Sequence, residues 1–263
     1  MVIVSPTLIY KHVSENPLLS HAFELLEKDE EVQELIRMSN VMAVTRLMYN
    51  DHGLVHARIV SGTSLELFEM LVKHGVEPTT IRDGTAHSLD EARLVVLLAA
   101  YLHDIGNAVH RTLHEYVGAL LAKDILDRLL PRVLPNHPRK RIVALRQEVM
   151  HAIFATEYNA QCLTIEAGVV KVSDGLDMSE GRARVPYRMG KRDMHAVSAL
   201  SIRRVELGRG SERPIRITVY MDELAGLFQL EEVLSPKIRT SGLENYIEIY
   251  VETPRERRRY MPK

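Results

Sequence analysis

A histidine and an aspartate stand side by side at His103-Asp104, directly behind the apolar run Leu94–Leu102. Water normally keeps such groups at the surface. A metal ion gives a reason for placing them beside a core, because it satisfies an imidazole lone pair and a carboxylate charge together. Further donors flank the pair. His52 and His56 are spaced i, i+4, which puts both rings on one face of a helix. His103, His110 and His114 are separated by seven and four residues, so an uninterrupted helix would align them in one stripe, although Gly106-Asn107 can break it. His151 follows Val149-Met150, and Asp174 follows the apolar stretch that contains Val169, Val170 and Val172. Polar groups at such boundaries need partners. Neutral imidazole with ionised carboxylate suits manganese, iron, cobalt, nickel or zinc. The set His52, His103, Asp104, His114, His151 and Asp174 is large enough for one or two ions. Two would stabilise both the attacking and the departing oxygen of a phosphoryl transfer.

The elements that must carry these residues read as mainly helical. Residues 1–16 look like an irregular arm, and helical periodicity then runs from Pro17 to Met48. A second helix spans roughly His52–His74 and ends at Gly75-Val-Glu-Pro, with 76–90 a polar loop. Ser88 or Asp90 can cap the helix that leads to His103-Asp104. Helices are expected over 113–130, 139–154 and 164–177, followed by a basic turn. Beyond about residue 195 the pattern changes to strand-like alternation at Ala199–Leu207, Ile215–Met221 and Tyr246–Val251, with an amphipathic helix over Asp222–Ile238. The expected organisation is a helical domain over 1–194 and a small α+β (β-β-α-β) domain over 195–263, ending in a solvated basic tail, Arg255–Arg259.

Composition limits the partners. Of the 263 residues 46% are hydrophobic and 26% charged, and the formal net charge is -1, so no global field points to nucleic acid. The single cysteine, Cys162, excludes an internal disulfide and fits a reducing cytoplasm. No apolar run reaches membrane-spanning length, and the first residues lack the features of a signal peptide. Edge strands of the small domain could pair two copies into a homodimer.

Four segments, His52-Gly-Leu-Val-His-Ala, Leu102-His-Asp-Ile-Gly106, His114-Glu-Tyr-Val-Gly118 and Val172-Ser-Asp-Gly-Leu-Asp-Met178, together resemble the signature of the HD-domain metal-dependent phosphohydrolases. The likeness spans roughly residues 50–180 and implies an HD-type helical domain. It implies His52, His103, Asp104 and Asp174 as the ligands of an ion, with His114 and His151 as the additional histidines of two-metal members. His110 is a further candidate, for the ion or for phosphate. Many active members carry lysine where this chain has Asn107, which separates it from the cyclic-dinucleotide phosphodiesterases, and Arg111 is the nearest replacement charge. Gly181-Arg-Ala-Arg-Val-Pro-Tyr187 also resembles a segment of some archaeal and bacterial members. Its Arg182 and Arg184 offer planar forks for phosphate oxygens, or belong simply to a solvated loop.

The implied activity is hydrolysis of a small-molecule phosphate ester, such as a nucleotide, by metal-activated water. Asp104 would bind the ion and orient that water, while His110, Arg111, Arg182 and Arg184 would offset developing charge. A non-catalytic nucleotide sensor and the oxygen chemistry of two-iron members are the alternatives. His56 reads as the partner of a nearby carboxylate, and Asp177 as an acceptor for a ligand imidazole or an exposed helix position.

Overall fold

The computed structural model describes residues 1–179, 187 and 193–262. Helices dominate, and two of them run through the centre. Nearly every residue of α6 (Leu89–Leu102) is buried, as its continuous apolar sequence requires, and Ser88 caps it by accepting the Glu91 N–H at 3.2 Å. Nearly all of α9 (Ile165–Leu176) is buried too, capped by Thr164 accepting the Ala167 N–H at 3.0 Å. Around this pair pack α2 (Pro17–Lys28), α4 (Leu54–Lys73) and α8 (Arg139–Phe154), and α7 (His114–Val133) packs on α8.

The expected helix over 17–48 divides at Asp29. That residue is extended and caps α3 (Glu30–Asn40) by accepting the Val32 N–H, after which a π-helical turn follows at Val41–Arg46. One expectation for the termini is corrected and another is refined. Residues 1–16 are not an irregular arm: they form β1 (Val2–Ile3) and α1 (Leu8–Glu15), whose Leu8, Ile9 and Val13 enter the core. The basic tail is exposed over residues 255–258, as expected, but it is also ordered, since Arg257–Met261 forms β5. Its arginines fit an edge strand because their stems and heads find partners across it. Arg259 makes a two-pronged pair with Glu212, and Arg257 lies over the Tyr250 ring.

The sheet has the order β1-β2-β3-β4-β5, with β2 at Ile202–Arg209, β3 at Ile215–Met221 and β4 at Ile247–Glu252. All neighbours are antiparallel except β3 and β4, which are parallel. A parallel pair needs a crossover. The helical turns from Leu224 to Leu234 and the helix Ser235–Ser241 supply it. The strand expected from Ala199 starts only at Ile202, because Met194–Leu200 is a helix capped by Asp193. One apolar core runs from the helices into the sheet, taking in Ile217, Val219, Ile249 and Val251. Among the described residues, no helix is long and apolar enough to cross a membrane.

Candidate metal centre

His103 caps the C-terminus of α6, and Asp104 begins a tight turn into the 3-10 segment Ile105–Ala108. This turn lies against the start of α7 so closely that a Cβ on Gly106 would come 1.9 Å from the His114 carbonyl oxygen and 2.5 Å from the Gly118 nitrogen. Only glycine permits that approach, and the approach fixes Asp104. The Ser39 hydroxyl lies 3.1 Å from the Asp104 carbonyl oxygen, and the Asn107 amide donates to Asp104 Oδ1 at 2.9 Å.

From α4 comes His56, buried on the core face. His52 precedes that helix; its backbone N–H donates to Asn40 Oδ1 at 3.1 Å, which holds it in the turn. The i, i+4 argument therefore does not describe how the two rings come together, since α4 starts only at Leu54. They converge on Asp104 all the same. His52 Nδ1 is 2.6 Å from Asp104 Oδ2, and His56 Nε2 is 3.4 Å from the same oxygen. From α9, Asp174 brings Oδ1 to 3.2 Å from His56 Nε2 and 3.7 Å from His103 Nε2. Among the described residues two groups, His52–His56–Asp104 and His56–His103–Asp174, have donor atoms all within 4.8 Å of one another. His56 belongs to both.

The tautomers say what this arrangement suits. His56 Nδ1 lies 2.7 Å from Asp177 Oδ2, and His103 Nδ1 lies 2.9 Å from the Ala100 carbonyl oxygen. Each contact calls for a proton on Nδ1 and leaves the Nε2 lone pair pointing inward. Those two Nε2 atoms face each other at 3.2 Å, beside Asp104 Oδ2 and Asp174 Oδ1. In that tautomer acceptors face acceptors, an arrangement that a shared cation makes attractive, whether a proton on one of the rings or a metal ion. The donor set fits a divalent transition ion held by His56, His103, Asp104 and Asp174, with His52 at its edge. Asp177 orients the His56 ring from outside, as carboxylates behind metal-bound imidazoles do.

Both aspartates stay ionised. Burial opposes this at Asp104, but the His103 and His52 rings beside it hold its carboxyl well below the usual range. At Asp174 burial is likewise outweighed, by the Lys237 ammonium and the His103 and His56 rings.

The other expected residues separate. The stripe through His110 and His114 does not form, because the chain turns at Ile105–Ala108 and again at Leu113, which has φ +60°. His110 is exposed at the rim, and its Nδ1 accepts the Thr112 N–H. His114 is buried near Asp104, at 3.4 Å, but its Nε2 accepts from Arg111 at 3.0 Å. His151 lies outside both groups, with Nε2 accepting the Leu163 N–H at 3.2 Å. Arg182 and Arg184 lie outside the described residues.

Arg111 does reach the centre indirectly: it donates to Asn107 Oδ1 at 3.2 Å, and Asn107 in turn holds Asp104. Asn107, standing where the resemblance leads one to expect lysine, thus links Asp104 to the Arg111 guanidinium. Two residues escape the sequence reading. His56 is marked in the sequence by its spacing from His52 but is left out of the expected ligand set and read as the partner of a carboxylate, which it also is, through Asp177. Lys237 carried no signal, yet its Nζ donates to Asp174 Oδ2 at 2.7 Å.

Comparison with known proteins agrees with this geometry. The HD domain family model matches residues 41–179, a span that includes His52, His56, His103, Asp104, Asp174 and Asp177. A protein of Methanocaldococcus jannaschii, described only as uncharacterized, is 42% identical over 235 residues, 89% of each chain. No solved structure matches the chain.

Proposed function

Because the chain belongs to the HD-domain metal-dependent phosphohydrolase superfamily, we propose that it hydrolyses a small-molecule phosphate ester, of a nucleotide or a related compound, at the centre formed by His56, His103, Asp104 and Asp174. The observation that carries this reading is the pair of imidazole Nε2 atoms facing each other at 3.2 Å beside two ionised carboxylates. A bound divalent ion there supplies Lewis acidity, which acidifies water and draws charge from a phosphoryl oxygen.

The chain's own residues do the rest. Asp177 and the Ala100 carbonyl fix the two imidazoles, so ordering them costs nothing further when substrate arrives. Asp104 presents Oδ2 inward while Asn107 holds Oδ1, which keeps the carboxylate from rotating. Arg111, braced by Asn107 and His114, carries its guanidinium at the margin of the centre, where it can grip a phosphate oxygen. Tyr49, whose ring centre is 6.0 Å from that guanidinium, offers an aromatic wall beside it. Among the histidines expected to complete a second ion site, His114 and His151 both use Nε2 to accept an N–H, which favours one ion over two. The metal is one of manganese, iron, cobalt, nickel or zinc, and availability decides among them.

The test is phosphate release from a panel of nucleotides and simple phosphate monoesters and diesters, with each of these divalent ions supplied in turn. Turnover that needs a metal, stops with a chelator and is abolished in Asp104→Asn and Asp174→Asn is the expected result. Tight nucleotide binding without turnover under every metal would replace this reading with that of a sensor. Two irons with oxygen uptake and no phosphate release would replace it with oxygenase chemistry.

A further inference from the structure

Lys237 lies on the crossover helix Ser235–Ser241, 63 residues beyond Asp174, and is 5% exposed. A buried ammonium is costly unless its donors are used. Here they are: Nζ donates to Asp174 Oδ2 at 2.7 Å and to the Thr156 carbonyl at 3.2 Å, and it lies 4.8 Å from the centre of the Tyr158 ring.

The surroundings hold this arrangement from both sides. A Cβ on Gly175 would already lie 3.1 Å from Leu234 Cδ1 and 3.2 Å from Lys237 Cδ, while one on Gly168 would lie 2.4 Å from the Ser241 carbonyl oxygen. These glycines, one face of α9 and two turns apart, let the crossover helix sit directly on the helix that carries Asp174. From α9 itself, Lys171 Nζ donates to the carbonyls of Glu157, Tyr158 and Ala160. It thereby fixes the loop that brings Thr156 and Tyr158 to Lys237. The Cys162 N–H donates to the Thr240 carbonyl at 2.9 Å and closes the same joint.

The two oxygens of Asp174 are therefore divided. Oδ2 belongs to Lys237, while Oδ1 faces His56 Nε2 and His103 Nε2. We propose that Lys237 is a positioning residue of the metal centre: by holding Asp174 Oδ2 it turns Oδ1 inward as a single-oxygen ligand, so that the small sheet-bearing part of the chain completes the site. This rests on the metal reading above. Its bland rival is that Lys237 merely neutralises a buried aspartate and glues the two parts together.

The test is manganese affinity of the full chain by calorimetry, with metal content checked by elemental analysis and fold by circular dichroism. Lys237→Met keeps the volume and removes the donor. Lys237→Gln keeps a shorter N–H donor without the charge. The wild type is expected to bind manganese, Lys237→Met to bind it about 10- to 100-fold more weakly, the range seen when a group behind a metal ligand is lost, and Lys237→Gln to recover to within about threefold of wild type. Wild-type affinity in a folded Lys237→Met, or a folded Lys237→Gln as weak as Lys237→Met, overturns the proposal and leaves the metal reading standing. A wild type that binds no metal overturns both. If Lys237→Met does not fold, Lys237→Gln decides by the same threefold criterion.

Discussion

Gly106→Ala puts the packing behind the His-Asp turn to a direct test. The added Cβ would start 1.9 Å from the His114 carbonyl oxygen, whereas ordinary contact begins at 3.4 Å, so the turn and α7 must separate by about 1.5 Å. Both partners are backbone, so no side chain can swing away. Overfilling a close-packed interior typically costs about 1–3 kcal/mol, and rigid partners place this substitution at or above the upper figure, about 3 kcal/mol. For a chain of this size that is a fall in melting temperature of roughly 6–12 °C. Gly118→Ala is the internal control, because it adds a methyl to the facing side of the same contact. Its Cβ would meet the Gly106 nitrogen at 3.3 Å and the His103 carbonyl at 3.4 Å, which needs only small adjustments. Alanine in a helix interior is also favoured over glycine by about 1 kcal/mol, so Gly118→Ala is expected to be neutral or slightly stabilising. Urea unfolding of the three proteins, followed by circular dichroism, gives both differences. Because Asp104 is two residues from Gly106, the Gly106→Ala protein is also expected to bind manganese more weakly. A loss below about 1 kcal/mol at Gly106, or equal losses at both glycines, would show that the contact is not as tight as described.

Other outcomes follow from individual groups. Glu66 is partly buried beside Lys11 and His12, and although burial pushes its carboxyl up, the hydrogen bonds and charges of these partners bring it down from 4.5 to about 2. A carboxyl lowered in the folded state adds stability above its unfolded value and loses it as pH falls through the folded one. The contribution, on the order of 2–3 kcal/mol, is therefore present above about pH 5 and lost between about pH 5 and pH 2. Acid unfolding curves should flatten over that window in Glu66→Gln, and identical slopes would count against the pairing. Burial pushes the Cys162 thiol up to about 11, so a thiol reagent at pH 8 should label the native protein far more slowly than the urea-unfolded one. Rapid native labelling would place Cys162 at the surface. Arg111→Met should raise the substrate concentration for half-maximal turnover about 10- to 100-fold, the worth of a charge-assisted hydrogen bond, with metal content unchanged. An unaltered substrate requirement would remove Arg111 from the phosphate site.

The legible part of the centre is the part that chain-local pattern encodes. His103-Asp104 stood out because an apolar run delivers it into the interior, and Asp174 because α9 is apolar up to that point. The histidines divided according to where helices begin and end. His52 and His56 share a spacing in sequence, but only the start of α4 at Leu54 decides which ring is held in the helix. The stripe through His110 failed for a related reason: a 3-10 turn and one left-handed residue, Leu113, redirect the chain, and neither leaves a strong local mark. Lys237 was invisible because its partner is 63 residues away and nothing in Ser235–Ser241 has ligand spacing. The sheet was read from alternation in its three longer strands. Its two edges were missed because β1 has only two residues and β5 is dominated by arginine.

The central claim is that one divalent ion belongs between His56, His103, Asp104 and Asp174. A crystal structure of the manganese-soaked protein, with the ion located by its anomalous scattering, tests it directly. The expected result is a single strong peak bonded to His56 Nε2, His103 Nε2, Asp104 Oδ2 and Asp174 Oδ1. No peak there at saturating manganese, or the ion bound instead by His110, His114 or His151, would contradict it.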